Sequence, residues 1–175
     1  MIKFAGRLKR IQKDKKGVFM LSDQMIASMV SLQERLKFFL FSSLDEKGFP
    51  DTRVLFNLRN MRASVFKEKV ALENVFATYI STNTSSSKVS QIQNNRRTCI
   101  YYSDNESFEG LTITGYTEEI HDRGIKRAIW DDSWDVYYLG GMDGGDYSIL
   151  KFLPLKAKYY KNLQVTEVNC EEFGR

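Results

Sequence analysis

Short apolar, strand-like runs follow one another through most of this chain with hairpin-length gaps, and helices do not alternate with them. A doubly wound parallel sheet needs a helix between successive strands, so that architecture is disfavoured. The pattern predicts a mainly β fold: an antiparallel barrel of six or seven strands with about three helices packed outside. The chain has 175 residues, of which 42% are hydrophobic and 13% aromatic. That is about one domain's length, with material for a real core.

Residues 22–35 carry Met25, Ile26, Met29, Val30 and Leu32 at helical spacing behind a capping Ser22 or Asp23. The run LKFFLFSS over 36–43 reads as a buried strand, and DEKGFP after it as a turn in which Gly48 supplies a positive φ. From Thr52 the sequence alternates, with Val54, Phe56 and Leu58 on one face and Arg53, Leu55 and Asn57 on the other. If the apolar face points into the barrel, Arg53 points out. Further strands are expected over 75–80, 98–102, 111–119 and 147–153, with 156–160 extending or following the last. A helix is expected after STNTSSS, and another behind Asp122, holding Ile125, Ile129 and Trp130. Residues 1–20 are read as a basic N-terminal arm, 21–165 as the domain and 166–175 as a tail.

The chain holds 26 basic and 22 acidic residues, a formal +4, too modest an excess to mark a nucleic-acid binder. Much of it lies in the N-terminal arm, which is either a solvated terminus or a site for an acidic partner. No apolar stretch is long enough to span a bilayer, and no signal-type core follows the basic start, so a cytoplasmic protein is expected. Cys99 and Cys170 stand far apart in no metal-type spacing, and His121 is the single histidine. No metal site is expected from three scattered ligands. A Ser-His-Asp relay would have to pass through His121, which a strand-to-helix junction better explains as a cap or surface residue. The acidic run 131–135 lacks the glycine and glutamate of a calcium loop. The Gly-rich stretch 140–145 has neither the spacing nor the following helix of a dinucleotide fingerprint.

The segment TNTSSSK over 82–88 leaves a strand and opens a helix. Unpaired N–H groups and a partial positive charge at a helix start stabilise anions, and Thr84, Ser86 and Lys88 add hydroxyls and a full charge there. The same residues would also serve as plain N-caps. Arg53 offers a planar fork that matches phosphate, or it is an exposed strand arginine. Trp134, with Tyr137 and Tyr138, forms an aromatic group suited to core or interface packing or to stacking on a ring.

In their order, DEKGFP, TRVLFNLRN, TNTSSSKVSQI, RRTCIYYSD, LTITGYTEEIHD, the Trp-containing helix and DYSILKFLPLKAKYY resemble one family. It is the FMN-binding split-barrel family related to pyridoxamine 5′-phosphate oxidase, in its general-stress-protein-26-like branch. The resemblance implies a split barrel with the FMN phosphate against Arg53, Ser86 and Lys88, and Thr82 and Thr84 standing nearby. It also implies that the backbone of Val54 and Leu55 runs along the isoalloxazine, with Trp134 and Tyr102 as aromatic contributors. FAD or a deazaflavin is an alternative to FMN. In this family the cofactor lies in a cleft between the subunits of a homodimer, so a homodimer is implied here too. Relatives often carry a basic residue where Ser87 stands. The Arg-x-His element of true pyridoxamine phosphate oxidases is missing from the C-terminus, so vitamin B6 oxidation is not expected.

The function that follows is a flavin-dependent oxidoreductase, with an unknown small-molecule redox partner. The alternative is a flavin-holding or sensing module without turnover. No residue stands out as a catalytic acid or base; the hydroxyls of Tyr102 and Tyr116 are the candidates if a proton donor is needed.

Overall fold

The computed structural model describes residues 23–70 and 72–174. Its elements are α1 (Asp23–Arg35), β1 (Phe38–Leu44), β2 (Pro50–Phe56), α2 (Leu58–Met61), α3 (Ala63–Glu68), β3 (Thr78–Asn83), α4 (Ser87–Asn94), β4 (Arg97–Asp104), β5 (Glu109–Ile120), α5 (Arg123–Ile129), β6 (Tyr147–Lys161) and β7 (Gln164–Asn169). Every strand pairing is antiparallel, in the order β2-β1-β4-β5-β6-β3, with β7 also on β6. The fold is a split barrel with helices outside, and its sheet is not closed by a ladder between β2 and β3. The basic arm over 1–20 and the capping position Ser22 lie outside the described residues.

The edge of β6 is divided between two strands for a local reason. One edge of β6 pairs with β5 along nearly its whole length, while the other edge is shared. Residues 147–152 of β6 pair with β3 and residues 156–161 pair with β7. Between the two stretches stands Pro154, which has no N–H to give a ladder. Opposite it, the β5–β6 register shifts between Thr114 and Gly115. A Cβ on Gly115 would lie 2.1 Å from the Leu153 carbonyl oxygen, so only glycine permits this approach.

The β1–β2 hairpin turns as its sequence predicts. Asp45 Oδ1 accepts from the Lys47 and Phe49 amides at 2.9 and 2.8 Å, and Gly48 takes φ +83°. Asp122 caps α5, accepting from the Ile125 amide at 2.8 Å.

Two apolar cores result. The first fills the barrel with Phe39, Phe41, Ile80, Ile100, Tyr102, Leu111, Ile113, Leu150 and Phe152, closed by Met29 and Leu32 of α1. The second lies outside β3 and β6, where Tyr79, Tyr147 and Ile149 meet Ile129, Trp134 and Tyr138. The first half of β6 is therefore buried on both faces, which is why YSILKF does not alternate.

Three expectations change. Leu58 opens α2 rather than continuing the strand, because Asn57 caps that helix and its amide bonds the Gln33 and Leu36 carbonyls at 2.5 and 2.7 Å. The inward face of β2 is the Arg53–Leu55 face: Leu55 packs on the barrel core, while Val54 and Phe56 are 62% and 54% exposed. The segment set apart as a tail from residue 166 is packed onto the domain, since Val168 and Cys170 are buried in the first core.

Candidate functional site

β3 delivers the chain from the barrel into a turn that opens α4, and this junction gathers the hydroxyls and the ammonium. Lys88 reaches back over the turn and donates to Thr82 Oγ1 at 2.8 Å and Ser86 Oγ at 3.0 Å. Those two hydroxyls are 3.2 Å apart. Ser86 is the N-cap residue of α4, yet its side chain makes no cap bond. The first turn of the helix is thus left without a side-chain cap, and the expected plain N-cap use of these residues is not what the chain adopts. Of the Thr82 and Ser86 hydroxyl hydrogens one can serve the pair, leaving the other for a ligand.

Burial pushes the Lys88 ammonium below its ordinary value, and the positive charge of Arg53 adds to this while Asp51 opposes it. Arg53 and Lys88, 35 positions apart in sequence, are therefore electrostatic neighbours. Arg53 reaches inward from β2, with its guanidinium 5.9 Å from the Phe41 ring. Its Nη1 donates to Ser43 Oγ at 2.6 Å and to the Asp51 carbonyl at 2.9 Å. Its Nη2 donates to Asp51 Oδ2 at 2.6 Å and Gln91 Oε1 at 2.9 Å. Gln91 lies on α4 one turn beyond Lys88, so a single helix carries both the ammonium and the amide that meets Arg53.

Thr84 stands in the same turn but faces another way. Ser148 gives its one hydroxyl hydrogen to Glu119 Oε1 at 2.5 Å, so in its 2.8 Å contact with Thr84 it accepts and Thr84 donates. Thr84 has no hydroxyl hydrogen left for an anion. Asp146 holds the turn from the Gly-rich side, accepting from the Ser85 amide at 2.9 Å and from Asn83 Nδ2 at 2.9 Å.

Val54 and Leu55 lie on β2, the end strand of the sheet, where one row of backbone N–H and C=O groups faces away from β1. Trp134 makes its ring contacts in the second core, with Trp130, Tyr138 and Tyr147, and is 8% exposed. Its place is packing, and its ring does not join the Arg53–Lys88 group. Tyr102 is fully buried in the barrel core and cannot serve a ligand as ring or proton donor. Tyr116 is exposed on β5, and His121 is exposed just beyond the end of that strand. Ser43, Asp51 and Gln91 were not among the sequence candidates. One signal for Ser43 was available: it extends the Phe39–Phe41 alternation onto the buried face of β1, where a polar residue needs a partner.

The donor set suits a phosphate: an ammonium, hydroxyls, an uncapped helix start and a guanidinium. Among the described residues no group of three or more His, Cys, Asp or Glu is placed to hold a metal ion. No helix among them is long and apolar enough to cross a membrane.

The structure of a Clostridium acetobutylicum protein, described as related to general stress protein 26 of B. subtilis in the pyridoxinephosphate oxidase family, is similar with a TM-score of 0.71. It is 27% identical in sequence, over 87% of this chain and 99% of that one. A pyridoxamine 5′-phosphate oxidase-related, FMN binding protein from Nostoc punctiforme shares the fold at 13% identity and a TM-score of 0.60, over 86% of this chain and 98% of its own. So does a heme binding protein from Mycobacterium smegmatis, at 13% identity and a TM-score of 0.60, over 83% of this chain and 59% of that one. No curated protein matches in sequence. The family model for pyridoxamine 5′-phosphate oxidase like proteins matches residues 67–169, which include the Thr82–Lys88 junction but not Arg53. With more than half its length matched, and with a split barrel carrying a phosphate-suited junction between β3 and α4, the chain belongs to the pyridoxamine 5′-phosphate oxidase-like family.

Proposed function

We propose that this protein binds FMN as a homodimer and uses it to pass reducing equivalents to a small acceptor. The observation that carries the reading is the convergence of Lys88, Thr82 and Ser86 at the uncapped start of α4, with Arg53 as their electrostatic neighbour. In this reading Lys88 and Ser86 hold the phosphate, Arg53 contributes charge, and the free backbone edge of β2 at Val54 and Leu55 lies along the ring system. When bound, the flavin supplies the redox chemistry, and the protein anchors and orients it. The likeness to a protein described as FMN binding supports the choice of cofactor.

The dimer is supported by the outward face of the sheet. Phe38 and Leu40 of β1, Val54 and Phe56 of β2 and Tyr101 of β4 are all exposed, and cross-strand register places Leu40 opposite both Val54 and Tyr101. A contiguous apolar patch of this kind on a folded domain is a place for a partner surface. A second copy would cover it and border the β2 edge where the ring system is proposed to lie.

A flavin-holding module without turnover is the second reading. It is favoured by the make-up of the site, which holds hydroxyls, an amide, two cations and a carboxylate, with His121 exposed elsewhere.

The test is a titration with FMN, followed by quenching of flavin fluorescence, with riboflavin in parallel. Tight FMN and weak riboflavin binding is the expected result, and equal weak binding of both removes the phosphate-anchored site. Oxidation of NADH or NADPH by the loaded protein separates the two readings.

A further inference from the structure

Resting on that anion-site reading, we infer that Asp51 is a built-in counter-anion of the site: its carboxylate occupies Arg53 until a phosphate displaces it, and so limits how tightly a phosphate is held. A guanidinium has five N–H donors. Four of those on Arg53 are already used, two on Nη1 for Ser43 Oγ and the Asp51 carbonyl and two on Nη2 for Asp51 Oδ2 and Gln91 Oε1. Only Nε–H remains. A fork-like grip on a phosphate needs two parallel N–H groups, so at least one present partner must leave.

The partners differ in their freedom to go. The Asp51 carbonyl is part of the β2 backbone. Ser43 is almost fully buried, and its hydroxyl also donates to Gln91 Oε1 at 2.5 Å, so the two are locked together. The Asp51 side chain is 43% exposed and is held by only two side-chain bonds, from Arg53 Nη2 at 2.6 Å and Gln91 Nε2 at 2.9 Å. It is the one partner that can swing into solvent. Its departure leaves both Nη2 and the Gln91 amide as donors pointing at the space it held.

Charge argues the same way. Arg53 and Lys88 bring two positive charges, and Asp51 cancels one of them. A dianionic phosphate therefore meets a site of net single charge, and either displaces the carboxylate or binds beside it against repulsion. Asp51→Asn keeps the shape and the hydrogen-bond acceptor while removing the charge. Loss of one like charge at contact distance amounts to about a fivefold gain in affinity even with water-like screening.

The experiment compares the wild-type protein, Asp51→Asn, and Asp51→Asn combined with Arg53→Ala. Each is titrated with FMN, with riboflavin and with inorganic phosphate, reading flavin fluorescence and the shift in melting temperature. Asp51→Asn should bind FMN about fivefold more tightly, leave riboflavin unchanged and show a larger melting shift with phosphate; adding Arg53→Ala to Asp51→Asn should remove both gains. Unchanged or weaker FMN binding by Asp51→Asn, with the wild type binding well, overturns the inference and leaves the flavin reading standing. A larger phosphate shift in Asp51→Asn without FMN binding by any variant keeps the counter-anion and sinks the flavin reading. No response of any protein to either anion removes both. If Asp51→Asn does not fold, Asp51→Ser carries the same expectation.

Discussion

The Lys88 ammonium donates to the Thr82 hydroxyl at 2.8 Å, bridging the end of β3 to the first turn of α4. One bond thus ties the barrel to the helix whose start is the candidate phosphate cradle. Lys88→Ala or Arg53→Ala should each weaken FMN binding by roughly ten- to a hundredfold, because each removes a charge-assisted contact worth about 1.5–3 kcal/mol. The double variant should lose more than either. An unchanged dissociation constant in a folded double variant would remove this placement of the phosphate.

The same lysine predicts an alkaline limit. Burial and the neighbouring Arg53 hold its pKa below the ordinary 10.5, so it loses its proton earlier than a surface lysine. FMN affinity should fall as pH rises through that lowered value, while Lys88→Arg, which stays protonated, should flatten the fall. Binding isotherms across the alkaline range check this.

The exposed face of β2 gives a prediction about assembly. Val54→Arg and Phe56→Arg change side chains that are largely in solvent within one chain, so the fold should tolerate them. A charge there should nevertheless split a dimer, lowering the mass by light scattering to that of one chain. A wild type that is already monomeric at the concentrations used for flavin binding would contradict the proposed assembly.

Acid stability should depend on Glu109. Its side chain is only 6% exposed, and burial alone would raise its pKa. Bonds from Lys161 Nζ at 2.5 Å, Arg35 Nη2 at 2.9 Å and the Tyr159 hydroxyl at 3.1 Å outweigh this and hold the carboxyl below its usual range. Such a group contributes stability above the unfolded-chain value of about 4 and loses it as pH falls through the lower folded value. Glu109→Gln should cost about 1–2 kcal/mol at neutral pH and should weaken the acid dependence of denaturant unfolding.

Gly115 should not accept a side chain. The missing Cβ would stand 2.1 Å from the Leu153 carbonyl oxygen, a backbone atom that cannot move without disturbing the β5–β6 ladder. Gly115→Ala should destabilise by on the order of 3 kcal/mol, lowering the melting temperature by roughly 10 °C.

The sequence by itself determined what depends on neighbours along the chain. The Asp45–Gly48 turn, the Asp122 cap and the helix start after Ser86 follow from local hydrogen bonding and backbone preference, and the antiparallel pairing of β1 with β2 and of β4 with β5 follows from the short connections between them. Alternation in β2 also established which residues share a face. It did not say which face is buried, because that depends on what lies across the sheet, and tertiary packing placed Arg53 inward and left Val54 and Phe56 outside. Tertiary structure likewise decided that Tyr102 is core, that Trp134 packs away from the Arg53–Lys88 group and that Thr84 donates to Ser148. The meeting of Arg53 with Gln91 joins residues 38 positions apart. No local preference encodes such a contact; it exists only because β1 seats the hairpin against α4, so that side chains of unrelated segments satisfy one another's buried polar groups.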